Sequence, residues 1–170
     1  RGLSLNVPLE PFTESASYLE AFEAVVPQAL EQFAPQVLVV QAGADAHFSD
    51  PLGDLALTTQ AFETLFRRIL QLADAHTLGR VLVTLGGGYE AQVVARVWTL
   101  LYLTMMELPI PTDLPQEWLE RWQMLLGPEV GRTLHDPVPA FPEFPGREER
   151  ARRNQDVVAR LRDSLLRYWL

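Results

Sequence analysis

The sequence contains no cysteine, so a disulfide framework and any thiolate-bound metal are excluded. It also contains no lysine: all 14 basic residues are arginine. Acidic residues outnumber them at 22, for a net charge of −8, which argues against nucleic acid as a partner. A positively charged peptide remains an acceptable ligand. No apolar run is long enough to span a membrane, and no signal peptide is visible. There is no internal repeat.

What is present suffices for a sizeable core: 48% of the 170 residues are hydrophobic. The organising stretch runs from Gln36 to Gly53. Val37-Leu38-Val39-Val40 reads as a strand of a parallel sheet, buried on both faces. Gly43 ends it, and Asp45, His47 and Asp50 follow in one loop. A second strand, Val81 to Leu85, leads into Gly86-Gly87-Gly88-Tyr89. Ligands of open α/β sheets bind beyond the carboxyl ends of such strands, so these two loops are where chemistry is expected. An earlier strand is predicted over Leu3 to Leu9, with Pro8 at its end or edge.

Helices are predicted between and after the strands. Ser17-Tyr18-Leu19-Glu20 reads as a capping box for a helix to about Phe33, kinked or restarted at Pro27. Thr58 or Thr59 caps a second helix with Phe62, Leu65, Phe66, Ile69 and Leu72 inward. Ala91 to about Leu108 forms a third, with Val94, Val97, Trp98 and Leu101 inward. Its Arg96 could pair with a carboxylate, which the sequence does not name. Three strand–helix units thus occupy residues 1–110 and require crossover connections and a parallel sheet. Residues 111–170 form a proline-rich extension: a short helix from about Gln116 to Leu126, an extended crossing, and a last helix from Glu148 to about Tyr168. In that last helix Val157, Val158, Leu161, Leu165 and Tyr168 share one side.

Taken by residue type, Asp45, His47 and Asp50 can bind a divalent metal. The competing reading is ordinary turn chemistry, which suits Asp50-Pro51 well. Gly86 to Ala91 formally matches the dinucleotide fingerprint G-x-G-x-x-A, with Glu107 at the expected distance. Glu107 should then end a second strand, yet it falls at the end of a helix, and the nucleotide reading fails. Close approach of a ligand or a neighbouring strand explains the glycines better. Tyr89 should project from the sheet edge; the plain alternative is a structural tyrosine.

Several motifs in order amount to a family resemblance. They are Asn6-Val7-Pro8-Leu9, Gln41-x-Gly43-x-Asp45, Asp50-Pro51-Leu52, Leu57-Thr58, Gly86-Gly87-Gly88-Tyr89 and Ala95-Arg96-x-Trp98-Thr99. Over about residues 2–110 the chain resembles the zinc-dependent histone deacetylase family, most closely its bacterial acetoin-utilization branch. The resemblance implies a three-layer α/β/α fold with a mostly parallel sheet, shared with arginases, of which this chain would be the C-terminal part. It implies a Zn²⁺ cofactor bound by Asp, His and Asp, with Asp45 as the last of the three. Tyr89 becomes the catalytic tyrosine. Leu52 becomes a wall of the acyl-lysine tunnel, flanked by Gly87 and Gly88. His47 and Asp50 are not family ligands. One departure is Leu85, where many members have a further glycine.

The implied activity is hydrolysis of acetyl-lysine in a protein or peptide to lysine and acetate, in the cytoplasm. The other zinc ligands and a catalytic histidine pair are expected upstream, so the N-terminal half of the same domain is an expected partner and this chain alone is expected to be inactive. A homo-oligomer is an open option. Two alternatives stand beside this: a catalytically inactive binding or assembly module, and an amidohydrolase acting on acetylpolyamines or other small amides.

Overall fold

The computed structural model describes residues 4–127, 130–137 and 142–169. Leu3, and the side chains expected inward at Leu165 and Tyr168, lie outside the described residues. The element order is α1 (Ser15–Phe33), β1 (Leu38–Ala42), α2 (Thr59–Thr77), β2 (Val81–Leu85), α3 (Ala91–Met105), α4 (Gln116–Leu126) and α5 (Arg147–Trp169). The fold is α/β. β1 and β2 pair in parallel with Leu38 opposite Val81 and Ala42 opposite Leu85, and α2 is the crossover between them.

Local chemistry explains the helix boundaries. Thr58 caps α2 by accepting from the Ala61 N–H, and Glu90 caps α3 by accepting from the Val93 N–H at 2.6 Å. α2 closes on Leu78 and Gly79, both with left-handed backbone. α1 differs from expectation. It starts at Ser15, two residues before Ser17, and no side chain caps it. The Ser17 hydroxyl is committed elsewhere, accepting from the Asn154 amide of α5 at 2.9 Å. The helix continues through Pro27 to Phe33.

The core lies where β1, β2, α2 and α3 meet. Leu57, Phe62, Phe66, Val93 and Val97 are buried around Ala42 and Ala44, with Val83 and Trp98 against them. Trp98 also donates its indole N–H to the Ala42 carbonyl at 2.9 Å, fixing α3 to the end of β1. A smaller cluster joins α1 to α5 through Ala21, Val25 and Val158.

Two expectations need correction. Residues 4–9 do not form a strand. Their alternation is real, and it turns Leu5, Val7 and Leu9 onto the α1–α5 cluster, but no described strand lies beside their backbone. The sheet among the described residues therefore has two strands, not three. Nor are the strands buried on both faces. Leu38, Val40, Val81 and Val83 point toward the helices, whereas Val39 is 62% and Leu82 57% exposed, because the described helices cover one face only.

Candidate active site

The loop after β1 and the loop after β2 lie side by side. The Ala44 N–H donates to the Gly87 carbonyl at 2.6 Å, extending the parallel ladder past the strand ends. Asp45 follows, half-buried, and its carboxylate packs against glycines of both loops. A Cβ on Gly87 would lie 2.0 Å from Asp45 Oδ2, and one on Gly43 would lie 2.7 Å from Oδ1. The glycines thus make room for a carboxylate. Gly53 does the same for the Asp45 backbone, since its Cβ would lie 1.7 Å from the Asp45 carbonyl oxygen. Gly88 has φ +141°, and a Cβ there would meet Val94 and Ala44.

The three candidate ligands of the loop differ in what already holds them. Asp50 accepts from the N–H groups of Leu52 and Gly53, both at 2.9 Å, and of Tyr89 at 2.8 Å. Burial works to raise its pKa. The backbone donors of Tyr89, Leu52, Gly53 and Glu90 outweigh burial and hold it below the usual carboxylate range. Asp50 is therefore a turn residue, and one that ties the Leu52 turn to Tyr89.

His47 is also committed. It is 1% exposed, with Nδ1 2.9 Å from the Ser49 hydroxyl and Nε2 3.0 Å from Asp136 Oδ2. The Asp45 carboxylate alone makes no hydrogen bond among the described residues. Its charge is felt by Tyr18, whose hydroxyl is pushed up first by burial and then by Asp45, and so stays protonated.

Tyr89 and Leu52 are on the surface, 57% and 70% exposed. The structure therefore groups Asp45, Gly87 and Gly88 at the strand ends, with Tyr89 and Leu52 reached through Asp50. Asp45 suits one ligand position of a metal: an oxygen donor, half-buried and with no competing donor. A catalytic zinc site takes three protein ligands, and among the described residues no three His, Asp or Glu side chains converge.

A residue that sequence reasoning missed is Asp136, from the crossing between α4 and α5. It receives the Arg96 guanidinium at 2.9 Å, the Thr59 N–H at 2.7 Å and the Thr59 hydroxyl at 3.0 Å, besides His47. Burial opposes its ionisation. The bond from His47, the Thr59 N–H and the charges of His47 and Arg96 outweigh that and hold it well below its ordinary value. The only sequence signal was Arg96, an arginine without a named partner on a helix that packs inward. His135, next to Asp136, also has a carboxylate partner: Nε2 lies 2.6 Å from Glu63 Oε2.

A parallel strand pair with a carboxylate and a tyrosine beyond its carboxyl ends defines an α/β domain whose candidate chemistry sits at the strand ends. The family model for the histone deacetylase domain matches residues 1–105, and the chain belongs to that family, in its acetoin-utilization branch. It is 33% identical over 160 residues to the acetoin utilization protein AcuC of Bacillus subtilis (strain 168), a match covering 94% of this chain and 41% of that protein. With AcuC of Staphylococcus xylosus it shares 33% identity over 150 residues, 87% of this chain and 39% of the relative. A solved structure described as an HDAC homolog complexed with SAHA has the same fold, with TM-score 0.72 at 24% identity over 92% of this chain and 41% of that one. The chain thus spans about two fifths of the length of these relatives.

Proposed function

We propose that this chain is part of a zinc-dependent deacetylase that hydrolyses acetyl-lysine in proteins or peptides to lysine and acetate. The observation that carries the reading is the Asp45 carboxylate, free of hydrogen bonds among the described residues and fitted between Gly43 and Gly87 at the strand ends. Asp45 would hold the zinc as one ligand. Zinc, when bound, supplies Lewis-acid polarisation of the amide carbonyl and acidifies a water. Tyr89 then has a separate task. Its hydroxyl donates a hydrogen bond to the carbonyl oxygen as negative charge develops there. Asp50 sets where that ring starts, because it binds the Tyr89 N–H directly. Leu52, Gly87 and Gly88 line the path of the acyl-lysine chain: an exposed apolar wall and two positions without side chains.

The remaining ligands and the general base belong, on this reading, to the N-terminal half of the same domain, and this chain alone is inactive. Bare Val39 and Leu82, paired on one sheet face, suit such a partner. The same surface favours the second reading, an inactive assembly module. A cytoplasmic location is part of the proposal. No helix among the described residues is long and apolar enough to cross a membrane.

The test is Tyr89→Phe in the full-length protein, assayed on an acetyl-lysine peptide. The ring is 57% exposed, so losing the hydroxyl leaves packing and stability unchanged. Turnover should fall by about 10²–10³-fold, the usual effect of removing one such donor. KM should change far less, and zinc content not at all. Near-normal kcat refutes the assignment.

A further inference from the structure

We propose that Asp136 is a positioning residue for the site: through His47 it sets the loop that carries Asp45 and Leu52. Asp136 lies in the crossing between α4 and α5, beyond residue 105 where the family match ends. It is 7% exposed, and three parts of the chain meet on its carboxylate. They are the imidazole of the site loop, the first turn of α2 and the guanidinium of α3. Its backbone is held as well. Its N–H donates to the Thr59 hydroxyl at 2.7 Å, and its carbonyl accepts from the Gln60 amide at 2.7 Å. A carboxylate so tethered is a fixed point.

The loop is held by backbone bonds from Ala44 to Gly87 and between Ala46, Phe48 and Leu57, and by Asp50 on the Tyr89 N–H. His47 is its one fully buried side chain with a long-range polar partner, and it stands two residues from Asp45 and five from Leu52. The His47 and Asp50 N–H groups close turns within the loop, on the Ala44 and His47 carbonyls. Those turns fix the shape of the loop. Among the loop's side chains, His47 is the one that ties it to α2 and α3 at once, because the Asp136 carboxylate it reaches also holds Thr59 and Arg96. Asp45 has no hydrogen bond of its own to hold it, so its placement follows that of the loop.

The consequence for turnover rests on the deacetylase reading; the consequence for the loop does not. Both are read on the full-length protein. In His47→Ala, native-state hydrogen exchange at the amides of His47, Asp50 and Leu57 should speed up by about tenfold or more, as expected from losing a bond to a charged group. The mid-helix amides of Leu100 and Leu101 in α3 should keep wild-type protection. Asp136→Asn should loosen the same loop amides, because the carboxamide turns a donor toward at least one of its four former donors. His47→Gln, whose amide can still donate to Asp136, should restore most of the protection. On an acetyl-lysine peptide, His47→Ala should lower kcat about tenfold or more, with zinc affinity reduced and Tyr89→Phe still additive. Uniform loss of protection across the chain in His47→Ala, or loop amides unchanged in both His47→Ala and Asp136→Asn, would overturn the proposal. Loop loosening in a protein with no deacetylase activity would uphold the positioning and reject the deacetylase reading alone.

Discussion

Replacing Gly87 with alanine separates placement of the Asp45 carboxylate from stability of the fold. The added methyl would sit 2.0 Å from Asp45 Oδ2 and 2.6 Å from Cγ, whereas real Cβ atoms keep at least 3.0 Å from such neighbours. The carboxylate must therefore move by about 1 Å. It can do so cheaply, because it is the end of a side chain with no hydrogen bond to break among the described residues. The Gly87 backbone is outside the left-handed region, so alanine meets no torsional strain there. Lost freedom of the unfolded chain favours alanine by about 0.4–1 kcal/mol, against a similar or slightly larger crowding cost. Net stability should change by about 1 kcal/mol or less. The chemistry has no such tolerance. A displacement of about 1 Å at a reacting group costs on the order of 10²-fold in rate. The expected result in the full-length protein is a nearly unchanged Tm, weaker zinc retention on dialysis against a chelator, and kcat down about 10²-fold. Gly131→Ala, where a Cβ meets nothing nearer than 3.9 Å, is the matched control. Wild-type zinc affinity and turnover in Gly87→Ala would refute Asp45 as a ligand. A collapse of Tm would refute the local nature of the displacement.

Gly53→Ala should behave in the opposite way, since its Cβ would lie 1.7 Å from a backbone oxygen that cannot swing aside; a loss of at least about 2 kcal/mol in urea unfolding is expected, and an unchanged midpoint would refute that geometry. Stability should also fall in acid through Asp136. The unfolded aspartate titrates near 3.8 and the folded one, facing His47 and Arg96, well below that. The unfolded chain therefore takes up a proton first, so this contribution is complete above the unfolded pKa and is lost as pH drops below it. Asp136→Asn should cost about 2–4 kcal/mol near neutrality and progressively less below pH about 4; parallel stability curves for wild type and variant across that range would count against it.

Much of the site was legible without coordinates because local spacing encodes it. The two strands, the Thr58 cap and the glycine-rich turn follow from period, capping chemistry and punctuation. So does the turn role of Asp50, whose carboxylate binds N–H groups two and three residues on. The strand expected over Leu3 to Leu9 shows the limit. Its alternation predicted which side chains turn inward, and those do pack against α1 and α5. A strand also needs a neighbour for its backbone, and no pattern within the segment can supply one. The same limit applies to burial of Val39 and Leu82, which depends on what covers the second face of the sheet.

Residue type and order by themselves determined the α/β class, the parallel crossover and the family, because each follows from local periodicity or from short motifs in sequence. Only tertiary structure could decide which of Asp45, His47 and Asp50 stays free. His47 is taken by Asp136, 89 residues away, and Asp50 by the N–H of Tyr89, 39 residues away. A side chain's availability for chemistry is set by what else reaches it in space, and partners that distant are brought together by packing of α2, α3 and the tail rather than by any spacing in the chain.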